Sequence, residues 1–449
     1  MIPEHALRSD LPTLTEGPAE SLEARLDKRA QENPHYWDFR GISGRVGGHG
    51  YFQYPAMMVP ELQRALLEDL LETDPGVELI YDPFMGSGTV LLESLYLGLS
   101  FIGSDINPMA VLLSHVKAHP PQSEFARDGG KRVLNRAIYS TSEWTLNFAH
   151  RDKWFDPTVI RDLSRLHEAI RGEEDKRLRR FLWVCLAETV RFVSNSRLST
   201  FKLHKYSDED MENRSPDALK QFGLILSSNV DGIRDHETAL PPNHGTVTLF
   251  CEDVMEGLPD GTLVDAIMTS PPYGDNHTTV PYGQYSYLPL QWIAASDLVG
   301  EVVIDRISRP GTLDTVSLGG RRLTAAKGVP SQIAEEVPSL TKWINDRSYK
   351  NGTTQKVITF VDDYRRALRS ADRALRQGGY IFLTLGERRV ADADVPLVAF
   401  TQEILEALNY RHVRSIDRLL PSRKRMARRN AAGETMARET ILIMRKNVA

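Results

Sequence analysis

Tyr81-Asp82-Pro83-Phe84-Met85-Gly86-Ser87-Gly88-Thr89 lies between two apolar runs, and the α/β reading of this 449-residue chain starts there. Val77-Glu78-Leu79-Ile80 ahead of it reads as a strand, and Thr89–Leu97 behind it as a helix. Strand, tight loop and helix open a βαβ unit. Phe101-Ile102-Gly103-Ser104 reads as the next strand and ends at Asp105, 105 − 82 = 23 residues after Asp82. A nucleotide-binding βαβ unit carries an acid about 20 residues beyond its loop, where it takes ribose hydroxyls. Gly86 and Gly88 let the backbone approach a ligand, and Asp82 suits a cationic amine. A P-loop is set aside because no glycine loop ends in Gly-Lys-Ser/Thr. A dinucleotide loop needs a third glycine, but Thr89-Val90-Leu91 follows Gly88. A monoanionic or zwitterionic nucleoside fits better.

A second stretch must meet the first. Thr269-Ser270-Pro271-Pro272-Tyr273 follows the strand-like run Val264-Asp265-Ala266-Ile267-Met268. Ligand-binding α/β sheets place their chemistry at the carboxyl ends of such strands. The prolines remove backbone donors and leave carbonyl acceptors. Ser270 adds a hydroxyl that also accepts, and a rim tyrosine stacks on a flat ring. Such a device holds a planar heterocycle by its exocyclic amino group. The chain shows no acid dyad, no Ser–His–Asp pattern and no metal-ligand cluster. Thr246-Val247-Thr248-Leu249-Phe250 reads as another strand, with Asp253 just beyond its end.

Composition agrees with a soluble globular chain: 41% apolar, 26% charged, formal net charge −5. No apolar run has membrane-span length, the N-terminus lacks a signal-peptide pattern, and Cys185 and Cys251 offer no disulfide or metal spacing. The expected setting is the cytoplasm. Any nucleic-acid surface must be local on an acidic molecule. Two stretches qualify. Ser194–Tyr206 is basic, hydroxyl-rich and aromatic, with Arg197, Lys202 and Lys205. Arg418–Asn430 has six basic residues and no acid: Arg418, Arg423, Lys424, Arg425, Arg428 and Arg429.

The expected layout is α/β, a Rossmann-like sheet with an inserted helical subdomain. Residues 1–35 form an N-terminal arm with a helix near Ser21–Gln31, and 36–114 the cofactor-binding first half. Helical patterns at Val159–Ile170, Leu178–Val193 and Pro216–Ile233 fill an insert over 115–245, a candidate target-recognition region. Residues 246–449 form the catalytic second half, irregular over 300–355, where turn signals suggest a mobile or DNA-facing segment. The aromatics of Tyr36–Tyr54 read as core packing or as a lid over a cofactor, with core packing favoured from the residues alone.

Asp82-Pro83-Phe84-Met85-Gly86-Ser87-Gly88-Thr89 resembles the S-adenosylmethionine motif of the amino-group DNA methyltransferases. Thr269-Ser270-Pro271-Pro272-Tyr273 resembles their catalytic motif in its cytosine-N4 form; the adenine-N6 enzymes usually carry Asp or Asn where Ser270 stands. The resemblance covers 36–110, 246–295 and 360–446. It implies that Asp82, Phe84, Gly86, Gly88 and Thr89 hold the methionine part of the cofactor, Asp105 with Ile106 the ribose, Asp253 the adenine amino group, and that Tyr54-Pro55 closes the pocket. It implies that Ser270, Pro271, Pro272 and Tyr273 hold a cytosine flipped out of duplex DNA, and that a cognate restriction endonuclease is a candidate partner. Adenine-N6 methylation, an RNA or protein amino group as target, and a non-catalytic specificity subunit are the other readings. Carbon-5 chemistry is rejected, because neither cysteine follows a proline.

Overall fold

Alternate residues of each strand go to opposite faces of the sheet, as the two-residue period of extended chain requires. In a computed structural model describing residues 20–39, 46–274, 280–320, 329–346, 351–386, 388–390, 393–420 and 438–448, Ile80, Ala266, Met268, Tyr380 and Phe382 enter one core. Tyr81, Ile267, Ile381 and Leu383 enter the other. The first core is covered by helices Leu22–Glu32, Pro60–Thr73 and Thr89–Tyr96, the second by Asn351–Ala374 and Leu397–Ala407. A sheet covered on both faces explains near-continuous apolar strands such as Tyr380–Leu385.

The strands are β1 Leu79–Asp82, β2 Ser100–Ser104, β3 Val247–Phe250, β4 Val264–Thr269, β5 Leu375–Gly386, β6 Tyr410–Leu419 and β7 Arg438–Lys446. Their order across the sheet is β3-β2-β1-β4-β5-β7-β6. β1 to β5 are parallel, and β7 runs antiparallel between β5 and β6. This is a doubly wound α/β arrangement. The order reverses between β1 and β4, so the crevice past their carboxyl ends is the switch point where such sheets bind ligands.

Residues Ser123–Ile138, Pro157–Arg171, Lys176–Val193 and Ala218–Ala239 are helices packed on one another around Leu163, Phe181, Trp183 and Phe222. Gly129 and Gly130 lie where any Cβ would run into the side chains of Leu178 and Leu226. The helical core is continuous with Tyr51, Phe52 and Tyr54 and with Tyr285, Tyr287 and Trp292 near the catalytic motif. Arg179 and Trp183 both donate to Asp297, Arg179 Nη2 at 2.7 Å and Trp183 Nε1 at 2.8 Å, fastening helix to loop. Among the described residues no helix is long and apolar enough to cross a membrane.

Three features depart from the sequence reading. The helix Leu22–Glu32 buries Leu22 and Leu26 against the sheet flank, and its Arg29 Nε lies 2.8 Å from Asp69 Oδ2. β6 escaped the pattern because Tyr410 enters the second core while Val413 and Ile416 enter the first, and a register shift between His412 and Arg414 sets those two three apart instead of two. The stretch read as irregular holds helices Ile304–Ile307, Thr312–Val316, Ser331–Glu336 and Pro338–Asn345.

Candidate active site

β1 delivers Asp82 to the sheet edge fully buried. Its Oδ1 accepts from the Phe84 backbone N–H at 3.0 Å and from Thr269 Oγ1 at 2.5 Å, while Oδ2 has no hydrogen-bond partner. Burial pushes its carboxyl up to about 7. The chain then turns through Gly86 and Gly88, with φ of 47° and 68°. That left-handed region favours glycine. At Gly88 a Cβ would also lie 2.7 Å from Ser114 Oγ, so the loop rests directly on helix Pro108–Ala118. From that helix Lys117, itself fully buried, donates to the Ser87 carbonyl at 2.6 Å. Burial lowers the Lys117 ammonium to about 7.

Asp105 at the end of β2 accepts from the backbone N–H of Gly86 at 2.9 Å and of Asn107 at 2.8 Å. It therefore braces the glycine loop, and desolvation raises its carboxyl to about 6. Asn107 caps helix Pro108–Ala118 and donates to Tyr54 Oη at 3.0 Å and Ser286 Oγ at 2.8 Å. The Tyr54 and Tyr282 rings stack with centroids 5.7 Å apart.

These pieces enclose a cavity of about 920 Å³, open mouth included. Of the residues expected at a cofactor, Tyr54, Pro55, Phe84, Gly86, Thr89, Asp105, Ile106 and Asp253 line it. Asp82 and Gly88 are not part of the lining; they lie in the same loop, beside Pro83, Phe84 and Thr89, which are. Ser270 and Pro272 line the same cavity, whereas Pro271 and Tyr273 do not. The sequence reading missed Asn107, Tyr282, Leu313, Ser317 and Leu318. The Asn-Pro pair at a helix start is a capping signal that points to Asn107; nothing local marks the others.

Ser270 follows β4 directly. Its hydroxyl donates to the Thr384 carbonyl of β5 at 3.1 Å, and Tyr273 Oη stands 3.2 Å away. Tyr273 Oη in turn lies 3.4 Å from Glu439 Oε1, and Glu439 pairs with Arg418 at 2.9 Å. Arg418 is buried and donates to the Trp37 and Asp38 carbonyls. This corrects its place in the basic run: it is an internal ion-pair residue, not a surface cation. Arg423, Lys424, Arg425, Arg428 and Arg429 lie outside the described residues.

Arg197, Lys202 and Lys205 are all exposed, on a hairpin-like loop closed by the Ser196–Lys205 bridge. Phe201 of this loop packs edge-on against Tyr285, with centroids 5.6 Å apart, and Tyr285 Oη donates to the Gln53 carbonyl next to Tyr54. The loop is thus tied to the cavity wall.

A parallel sheet reversing at β1/β4, a glycine loop at the reversal and a cavity lined by residues of both motifs make this the candidate active site. Residues 13–115 match the N6/N4 methyltransferase family model described as "DNA methylase". The chain is 29% identical over 452 aligned positions to Type II methyltransferase M.MvaI of Kocuria varians, covering 94% of this chain and 96% of that one. It is 28% identical to Type II methyltransferase M.MjaII of Methanocaldococcus jannaschii over 27% of this chain and 20% of that one. Among solved structures it is similar to the rRNA methyltransferase aviRa from Streptomyces viridochromogenes at 12% identity, covering 87% of this chain and 86% of that one, with a TM-score of 0.30, too distant to bear on the site. The family-model match meets the resemblance to the amino-group DNA methyltransferases over residues 13–115, and the similarity to a Type II methyltransferase runs over 94% of the chain.

S-adenosylmethionine is the methyl donor of these enzymes, and the residues present fit it. The unpartnered, buried Asp82 oxygen is of the sign a cationic ligand needs. Asp105 and Asp253 place acceptors on the wall of the cavity, whose lining Asp82 itself does not join.

Proposed function

We propose that this protein methylates the exocyclic N4 amino group of a cytosine turned out of duplex DNA, within a restriction–modification system whose endonuclease is its candidate partner. The observation that carries the reading is the direction of the Ser270 hydrogen bond. Ser270 gives its one hydrogen to the Thr384 carbonyl, so toward the cavity it is an acceptor, as an amino group requires.

S-adenosylmethionine supplies an electrophilic methyl carbon on a sulfonium, whose sulfur takes the bonding electrons when the methyl leaves. Asp82, with Phe84, Gly86, Gly88 and Thr89, holds the methionine part; Asp105 and Ile106 hold the ribose, Asp253 the adenine amino group, and Tyr54-Pro55 closes the pocket. Ser270 and the Pro271 carbonyl accept the two N–H bonds of the target amine. Those bonds draw the nitrogen toward tetrahedral geometry and free its lone pair from the ring. The rest of the catalysis is position. Pro272 borders the base, and Tyr273 presents its ring to the base face. A base within a duplex cannot reach such a cavity, so it must leave the stack. Arg197, Lys202, Lys205 and the run from Arg423 to Arg429 contact phosphates.

The test is nucleoside digestion and mass spectrometry of DNA from cells producing the protein. N4-methylcytosine is expected. N6-methyladenine would move the target to adenine, and unmodified DNA would remove the reading.

A further inference from the structure

The direction of one further hydrogen bond near Ser270 is open to choice. Thr384 O, 3.1 Å from Ser270 Oγ, has no hydrogen to give, so it accepts from Ser270. Tyr273 Oη has one hydrogen and two acceptors within reach, Ser270 Oγ at 3.2 Å and Glu439 Oε1 at 3.4 Å. If the hydrogen goes to Ser270, it occupies a lone pair on the atom that faces the cavity. If it goes to Glu439, that lone pair is free.

Glu439 stands opposite Arg418 in the β6–β7 ladder, and Arg418 Nη1 lies 2.9 Å from Glu439 Oε2. The Arg418 guanidinium also donates to the carbonyls of Trp37 at 3.0 Å and Asp38 at 3.1 Å, so it is held in place from a third segment. Burial raises the Glu439 carboxyl, and the Arg418 guanidinium held against it opposes that rise and favours the carboxylate, which only accepts.

We propose that the Glu439–Arg418 pair draws the Tyr273 hydrogen away from Ser270 and so leaves both Ser270 lone pairs, not one, open to the target amine. Glu439 is a positioning residue that acts through Tyr273. The inference rests on the reading of Ser270 as the acceptor of that amine. A neutral group at position 439 turns the chain round: an amide donates to Tyr273, and Tyr273 then donates to Ser270.

The experiment is single-turnover transfer of labelled methyl groups to duplex DNA by the parent, Glu439→Gln, Tyr273→Phe and the double variant, with cofactor affinity measured by calorimetry. Glu439→Gln is expected to slow transfer by about tenfold or more, since it blocks one acceptor of a preorganised site, and to leave cofactor affinity unchanged. Adding Tyr273→Phe to Glu439→Gln is expected to raise the rate again, because no hydroxyl is left to occupy Ser270. A purely structural role for Glu439 predicts no such recovery, since the double variant has lost one more hydrogen bond. A parental rate in Glu439→Gln, or a double variant no faster than Glu439→Gln, overturns the inference. Should Glu439→Gln fail to fold, Arg418→Gln/Glu439→Gln with and without Tyr273→Phe decides the same question, because it leaves no buried charge unpaired. A parent that places no methyl on a DNA amino group sinks the underlying reading instead, whatever the variants do.

Discussion

Thr269 donates its hydroxyl hydrogen to Asp82 Oδ1 at 2.5 Å, joining residues 187 positions apart. One precedes Ser270 and the other opens the glycine loop. The bond exists because β1 and β4 are parallel neighbours, with Tyr81 beside Ile267. Thr269→Val keeps the shape and removes the donor. It is expected to lower stability by about 1–3 kcal/mol, the cost of a buried acceptor losing a partner. Denaturant unfolding measures it, and a parental midpoint would show that the bond contributes nothing.

If Asp82 holds the cofactor as proposed, cofactor binding is expected to depend on pH. Its carboxyl sits at about 7 in the folded protein against an ordinary 3.8. Between those values the folded, ligand-free protein holds a proton that the unfolded chain has lost. Its stability therefore falls as pH rises toward 7 and is level above. Asp105, raised to about 6, adds a change of the same sign. A cationic ligand prefers the ionised form, so affinity for S-adenosylmethionine is expected to rise with pH up to about 7, with proton release on binding. Calorimetry in two buffers of different ionisation heat counts that proton. Asp82→Asn should remove most of it, and no release in the parent would dismiss the assignment.

Ser270→Ala should lower the single-turnover rate by about a hundredfold, the usual cost of one donor or acceptor lost from a preorganised site, with little change in cofactor affinity. Tyr273→Ala should instead weaken capture of the flipped base, since stacking on an aromatic is worth about 1–3 kcal/mol. A Ser270→Ala enzyme as fast as the parent would rule out the proposed role.

The two basic stretches are separable by salt. Arg197→Ala/Lys202→Ala/Lys205→Ala and, independently, Arg423→Ala/Lys424→Ala/Arg425→Ala should each flatten the plot of log affinity against log salt by up to about 0.9 per lost phosphate contact. DNA binding titrated at several salt concentrations reads this. A set that leaves the slope unchanged is surface charge and nothing more.

The parallel core of the fold was legible because its strands alternate with helices and end in Asp82, Asp105 and Ser270, residues whose chemistry is local in sequence. β6 was hidden by a bulge that broke its period. The cavity wall contributed by Tyr282, Leu313, Ser317 and Leu318 was hidden for a different reason: those residues are brought to the glycine loop only by tertiary packing. Arg418 misled because burial and its pairing with Glu439, 21 residues on, leave no trace in a run of neighbouring cations.

The helical insert and the cavity wall share a single core, through Tyr51, Phe52, Tyr285 and Trp292. A chimera that exchanged only the stretch between β2 and β3 with a relative's would cut that core in two. An exchanged cassette must therefore carry its own counterparts of Tyr51–Tyr54 and Tyr282–Trp292, or be repacked against those that remain.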